Sequence, residues 1–288
     1  MTVHKKTTAP TDLSVQQKEE RLRALLVTYD RLAIAFSGGV DSTYLLAMAQ
    51  ETLGNDRVLA LTVESPFMSR REIQRTRDLA GRMGFPHRVV DLNPMDDADV
   101  LANTPERCYY CKRQVFGTLL TEARRAGFTR LAHGENADDR SDYRPGHRAA
   151  VELGVVAPLD EVGLTKSEIR ELSHLRGLLT WNLPAQACLA TRIPYGTTLD
   201  AEAMRQVELA EEFLRGRFGW QALRVRHHGV VARLEIPPED WPALLDVRAR
   251  EAVVAEFARL GFGAVALDLA GLRSGSMNRL LVSNEGRA

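Results

Sequence analysis

The sequence predicts an α/β fold: a parallel sheet with helices on both faces, followed by a smaller α+β unit. Three observations carry that expectation. Short apolar runs of strand length alternate with amphipathic helical segments from residue 32 to about residue 176. The glycine-rich stretch SGGVDS, residues 37–42, joins the first of those runs to a helical pattern. After about residue 198 the alternation stops, and a long helical segment is followed by two strand-like runs, a helix and one more strand.

The elements follow in order. Residues 1–12 are expected to be a disordered leader without the apolar stretch of a secretory signal. Residues 13–30 have helical spacing through Leu22, Leu25 and Leu26. Leu32 to Phe36 reads as a buried strand and Asp41 to Leu53 as a helix. Arg57 to Val63 is a second strand, Arg70 to Met83 a charged amphipathic helix, and His87 to Leu92 a third strand. Gln114 to Ala126 is helical, Arg130 to His133 is a fourth strand, and Val155 to Pro158 is expected as a short fifth. Thr165 followed by Glu168 is a capping signal that opens a helix to Arg176. Residues 13–198 therefore form one expected domain. Residues 199–288 form a second, with a helix at Leu199 to Phe218, paired strands in LRVRHHG and VARLEI, a helix at Trp241 to Leu260 and a strand in AVALDL.

Composition narrows the function. Basic and acidic residues balance at 38 each, so no global field draws the chain to nucleic acid or to a membrane surface. Apolar runs fall well short of the roughly 20 residues that cross a bilayer. The three cysteines, Cys108, Cys111 and Cys188, are too few for a disulfide framework. A reduced, cytoplasmic setting is expected, with all three thiols free for chemistry.

A loop between a strand's carboxyl end and a helix's amino end exposes unpaired N–H groups at the positive end of the helix dipole. Glycines let the backbone approach an anion, so Ser37, Gly38, Gly39 and Ser42 suit phosphate, and Asp41 suits a magnesium ion bridging phosphates. The lysine-bearing Walker pattern and the dinucleotide fingerprint are both absent here. In that order, strand, SGGVDS and helix resemble the PP-loop ATP pyrophosphatases, whose fold is the adenine nucleotide alpha hydrolase-like parallel sheet. That resemblance implies cleavage of ATP between the α- and β-phosphates and adenylation of an acceptor oxygen. RLAHGENADDRSDYRPG, after the fourth strand, carries Asn136, Asp138, Asp139 and Asp142. Its G-x-N-x-x-D element is similar to one in the same enzymes, which implies ATP or metal contact by Asn136 and Asp138.

Cys108 and Cys111 form C-Y-Y-C, a spacing open to a redox dithiol, half of a zinc site or part of an iron–sulfur site. Zinc would need a fourth ligand, such as His87, His133, His147 or His174, which no spacing rule supplies. Three thiolates suit a 4Fe–4S cluster with one iron left free. CLATRIPYG around Cys188, with LRVRHHG, VARLEI and LDLAGLRSGSMN further on, resembles the LarE sulfur transferases, from the first strand to about Asn278. The resemblance implies adenylation of a carboxylate of pyridinium-3,5-biscarboxylic acid mononucleotide and its conversion to a thiocarboxylate, in nickel-pincer nucleotide synthesis. Some members sacrifice the sulfur of a cysteine matching Cys188; the three-cysteine pattern of this chain implies sulfide delivery by a 4Fe–4S cluster on Cys108, Cys111 and Cys188. The source of that sulfide is not legible. By the same resemblance Arg224, Arg226 and Arg273 are expected to line the pocket for the anionic pyridinium nucleotide, with Arg192 as a further cation. Self-association is expected because relatives assemble. A tRNA-thiolating PP-loop enzyme is the rival reading, set back by the balanced charge and by the lack of an RNA-binding module.

Overall fold

The computed structural model describes residues 13–141, 145–184 and 187–273. The leader, Asp142 and the stretch from Ser274 through Asn278 lie outside these described residues.

The first half alternates as expected: α1 (Val15–Val27), β1 (Leu32–Ala35), α2 (Val40–Leu53), β2 (Val58–Glu64), α3 (Arg70–Met83) and β3 (His87–Asp91). Then come α4 (Ala98–Leu101), α5 (Arg107–Arg125), β4 (Leu131–His133), α6 (Pro145–Glu152), α7 (Pro158–Glu161) and α8 (Lys166–Leu175). The strands pair in parallel in the order β3-β2-β1-β4. Side-chain alternation assigns each face its helices. Leu32 and Ile34 of β1 join a core with Leu22, Leu26, Tyr44, Leu79, Ile169 and Leu172. Ala33, Leu59, Leu61 and Leu131 point the other way, into a core with Phe116, Leu119 and Ala123 of α5 and Ala150 of α6. The sheet is thus covered on both faces, which is why its strands read as continuous apolar runs.

The expected fifth strand at Val155 to Pro158 is corrected to a single parallel bridge between Ala132 and Val156. Pro158 cannot donate to a ladder and instead opens α7. Helix α5 begins at Arg107, seven residues before the expected Gln114, so both Cys108 and Cys111 lie in its opening turns.

After residue 198 the described elements are α9 (Ala201–Phe218), β5 (Arg224–His228), β6 (Val231–Glu235), α10 (Trp241–Leu245), α11 (Val247–Arg259) and β7 (Ala264–Leu267). β5 and β6 pair antiparallel and β7 joins β6 in parallel. The expected single helix from Trp241 breaks at Asp246, whose side chain accepts from the Ala249 N–H and caps α11. Val207 and Leu214 of α9 pack with Val225, Leu234 and Phe257, and that core also takes in Phe67, Val100 and Leu189. Phe67 and Leu189 are the neighbours that bring the second sheet up to the carboxyl ends of the first.

Candidate functional site

The strand order makes β1 a switch point: its neighbours β2 and β4 continue in opposite directions from it. Open α/β sheets bind ligands at that place, beyond the carboxyl ends of the strands. The SGGVDS loop sits there. Gly38 has φ +68, and Gly39 is the N-cap of α2 without any side-chain cap. The first N–H groups of α2 are therefore left for an anion. Ser37 and Ser42 brace the loop with hydroxyls 3.1 Å apart, and the Ser37 N–H donates to Ser42 Oγ at 3.3 Å. Two crossings leave little room for a larger residue. A β-carbon on Gly38 would come 3.0 Å from Thr76 Cγ2, and one on Gly134 would come 2.8 Å from the Ser42 nitrogen.

Asp41 Oδ2 lies 2.5 Å from Lys166 Nζ, while its Oδ1 is buried with no hydrogen-bond partner. Burial raises the Asp41 pKa above the usual carboxylate range, against the pull of Lys166. An orphaned carboxylate oxygen beside a phosphate loop fits a divalent cation bound to phosphate. Lys166 was not singled out by sequence reasoning, because Thr165 and Glu168 explain that stretch as a helix start. Its one signal was rarity: the chain holds five lysines, and this one opens a helix. The Lys166 N–H donates to Asp138 Oδ2 at 2.9 Å, and the Ala137 N–H to the Leu164 carbonyl at 2.9 Å. Asn136 Oδ1 accepts from the Asp138 N–H at 3.0 Å. Asn136 and Asp138 thus fold the turn after β4 and tether Lys166 beside Asp41.

The three thiols converge on the same edge from two segments. Cys108 and Cys111 are three residues apart on α5, hence on one side of it. Cys188 caps the short 3₁₀ turn Leu189–Arg192, where its carbonyl accepts from the Thr191 hydroxyl at 2.7 Å. The Leu189 N–H donates to the Phe67 carbonyl at 2.8 Å, which pins Cys188 to the loop between β2 and α3. All three are free cysteines of intermediate exposure. Burial, then the nearby Cys188, pushes the Cys111 thiol up to about 12; burial also raises Cys188, with Arg107 opposing. Among the described residues no three His, Cys, Asp or Glu side chains gather closely enough to hold a metal ion. The thiols share a patch without forming a ligand set.

Arg107 holds this patch together and was likewise missed in the sequence. It is 1% exposed; its guanidinium bonds Asn103 Oδ1, donates to the Ala190 carbonyl at 3.0 Å and lies 3.9 Å from Cys108 Sγ. Asn103, at φ +52, donates from Nδ2 to the carbonyls of Pro194 and Thr197 at 2.8 and 2.9 Å. The two residues clamp the segment after Cys188 onto the start of α5.

Arg224 and Arg226 share one face of β5, as alternation requires, together with Arg233 and Glu235 of β6. Arg226 is 3% exposed, pairs with Glu235 at 2.8 and 2.9 Å, and donates to the Thr191 carbonyl at 2.6 Å. Arg224 is half-buried and donates to the Arg273 carbonyl at 3.0 Å; Arg273 itself is exposed. Arg192, buried, is paired with Glu211 at 2.9 Å and donates to the Ala187 carbonyl. These cations collect around the turn that follows Cys188. Two grooves, each about 410 Å³, lie elsewhere: one around Arg113 and Gly117 on α5, the other around Val58 and His87.

Comparison with known proteins supplies independent findings. A family model described as NAD synthase matches residues 16–109. An uncharacterized protein of Synechocystis is 39% identical over 93% of this chain and 99% of its own. The pyridinium-3,5-bisthiocarboxylic acid mononucleotide synthase of Lactiplantibacillus plantarum is 36% identical over 92% of this chain and 95% of its own. An uncharacterized protein of Methanocaldococcus jannaschii is 28% identical over 85% of this chain and 91% of its own.

Proposed function

The chain belongs to the LarE family, that of the bisthiocarboxylic acid mononucleotide synthase of Lactiplantibacillus plantarum, and from that premise we propose that it is an ATP-dependent sulfur transferase acting on a pyridinium mononucleotide. The acceptor carboxylate attacks the α-phosphorus of ATP, the bond to the β-phosphate breaks, and pyrophosphate leaves. Sulfur then attacks the acyl carbon and AMP departs with one former carboxylate oxygen. Adenylation is needed because a carboxylate anion has no good leaving group.

In this reading the N–H groups at Gly38 and Gly39, with the Ser37 and Ser42 hydroxyls, hold the departing phosphates. Asp41 and Lys166 flank them, and Asp41 would hold a magnesium ion, which when bound would neutralise charge on the phosphates. Arg224 and Arg273 bind the pyridinium nucleotide, and Arg226 supports that face through its pair with Glu235. The unit from residue 199 onward is read as the substrate-binding and self-associating part, in a cytoplasmic enzyme.

One observation carries the proposal. The loop that leaves β2 meets Cys188 through the Phe67–Leu189 hydrogen bond, and α3, which it enters, packs through Thr76 on Gly38. Seven residues of helix separate Ser69 from Thr76, roughly 10 Å. Activation and sulfur attack are thus assigned to one continuous edge.

For the sulfur source, the three-cysteine pattern supports a 4Fe–4S cluster on Cys108, Cys111 and Cys188, which when bound would supply a sulfide nucleophile. A second reading is favoured because the thiols share a patch without forming a ligand set: Cys188 attacks the acyl-adenylate itself, and cleavage of its Cβ–Sγ bond with loss of the α-proton leaves dehydroalanine. The chain is purified without oxygen after iron and sulfide supply, then turned over with ATP and the biscarboxylate nucleotide. AMP, pyrophosphate and thiocarboxylate are the expected products. Bound iron with Cys188 unchanged in mass supports the cluster; iron-free protein with Cys188 converted supports the sacrificed side chain.

A further inference from the structure

Arg75 has no role in the chemistry so far, yet it stands beside the phosphate loop. It is half-buried on α3, and its Nε lies 3.5 Å from where a β-carbon on Gly38 would sit. That Nε is out of contact with solvent and has no hydrogen-bond partner. The acid nearest in sequence, Glu72, offsets part of the Arg75 charge from a distance, but its carboxylate makes its hydrogen bonds to Ser69, accepting from the N–H at 2.9 Å and from the hydroxyl at 2.8 Å. Two other charges that act on Arg75, Arg71 and Arg215, are of its own sign, and Arg215 is held at 2.8 Å by Glu211. Burial works against the charge on Arg75 and lowers its pKa.

A guanidinium nitrogen shut off from water and left without a hydrogen bond is costly to the fold. Here it is aimed at a loop whose first helical N–H groups also lack a capping side chain. Both deficits are removed together by one dianionic group seated between them. We propose that Arg75 is a pyrophosphate-binding residue, which grips the β- and γ-phosphates of ATP and holds the pyrophosphate after the α–β bond breaks. A planar guanidinium suits that task, since two of its N–H groups can meet two phosphate oxygens. The proposal rests on the loop being the ATP site, and it adds a contact from the opposite side, on α3.

The chemistry, a phosphate oxyanion, has two sources here: the pyrophosphate end of ATP and the monophosphate of the pyridinium nucleotide. Titration calorimetry on the full chain separates them, with magnesium pyrophosphate, AMP and nicotinic acid mononucleotide as probes. Arg75→Met is expected to weaken pyrophosphate binding about 10- to 100-fold, the loss of a charge-assisted hydrogen bond or two. Binding of both monophosphates should hold within about twofold of wild type. Arg75→Lys, which keeps the charge but not the fork, should fall between. Thermal unfolding separates a binding role from a structural one: ligand-free Arg75→Met should melt at or above the wild-type temperature, because a buried nitrogen without a hydrogen bond has been removed.

Equal pyrophosphate affinity in wild type and Arg75→Met would overturn the proposal and leave the ATP site standing. A selective loss of mononucleotide binding would overturn it as well, in favour of a substrate-phosphate contact. Failure of the wild type to bind pyrophosphate or ATP at all would remove both the proposal and the reading beneath it. A ligand-free Arg75→Met chain that melts well below wild type, with Arg75→Lys restoring stability but not affinity, would assign Arg75 to the packing of α3 instead.

Discussion

Leu189 donates its N–H to the carbonyl of Phe67 at 2.8 Å, across 122 residues of sequence. Phe67 stands between β2 and α3, and α3 leans through Thr76 on Gly38. One short connection therefore touches the segment bearing Cys188 at one end and the phosphate loop at the other. Replacing Phe67 with Ala would empty a buried aromatic site at that junction and is expected to cost about 3–5 kcal/mol, read by urea unfolding.

Asp41 sets activity against stability. Burial raises its pKa, so the folded chain holds that proton more tightly than the unfolded chain does. The stabilisation it gives is present at low pH and lost as pH rises through the folded value. Asp41→Asn is expected to abolish cleavage of ATP to AMP and pyrophosphate. Its melting temperature relative to wild type should climb from acidic to neutral pH, as measured by calorimetry across that range.

Gly134 is irreplaceable on geometric grounds. A β-carbon there meets the Ser42 nitrogen at 2.8 Å and the Asp41 carbonyl carbon at 3.1 Å, both backbone atoms. Gly134→Ala must push the turn after β4 away from α2, at a cost of about 1–3 kcal/mol. ATP affinity should fall with it, whereas Gly154→Ala, where nothing lies within 4 Å but φ is +67, should lose stability alone.

The arginines of β5 separate by variant. Glu235 is fully buried and is held by both Arg226 and Arg233. Arg226→Ala takes the two-pronged guanidinium partner away from that carboxylate, at an expected cost of about 3 kcal/mol, the low end for a broken buried pair. Arg224→Ala removes a half-buried guanidinium bonded to a carbonyl. It should leave the melting temperature near wild type while raising KM for the pyridinium nucleotide about 10-fold or more.

Cys111 is expected to be inert as a thiol. Its pKa stands at about 12, chiefly through burial, so its thiolate is scarce at any ordinary pH. Iodoacetamide at about pH 9 should leave Cys111 largely unmodified in the folded, metal-free chain. Peptide mass mapping reads this directly; rapid alkylation of Cys111 would place its thiol in a more polar setting.

Much of this architecture could be read from the chain. The runs LAIA and VLALTVE are apolar throughout because both faces of the sheet are covered, and SGGVDS announced the strand-to-helix loop. The start of α5 was hidden because Cys-Tyr-Tyr-Cys is a poor helix former, with its place set instead by Arg107 and Asn103. Arg75 reads as one more charge on the solvated side of an amphipathic helix, since its neighbour across the fold, Gly38, is 37 positions away. Lys166 and Asp41 are 125 residues apart, and the packing of α8 on α2, with the tether through Asp138, brings them together. Such pairings arise from tertiary contact, which local periodicity does not encode.

The central claim is that one carboxylate oxygen of the substrate leaves on AMP when sulfur takes its place. Pyridinium biscarboxylate nucleotide labelled with oxygen-18 in its carboxylates, incubated with unlabelled ATP and the full chain, tests this by mass spectrometry of AMP. One labelled oxygen in AMP for each thiocarboxylate formed is the predicted result. Thiocarboxylate accompanied by unlabelled AMP, or by ADP and phosphate, would contradict it.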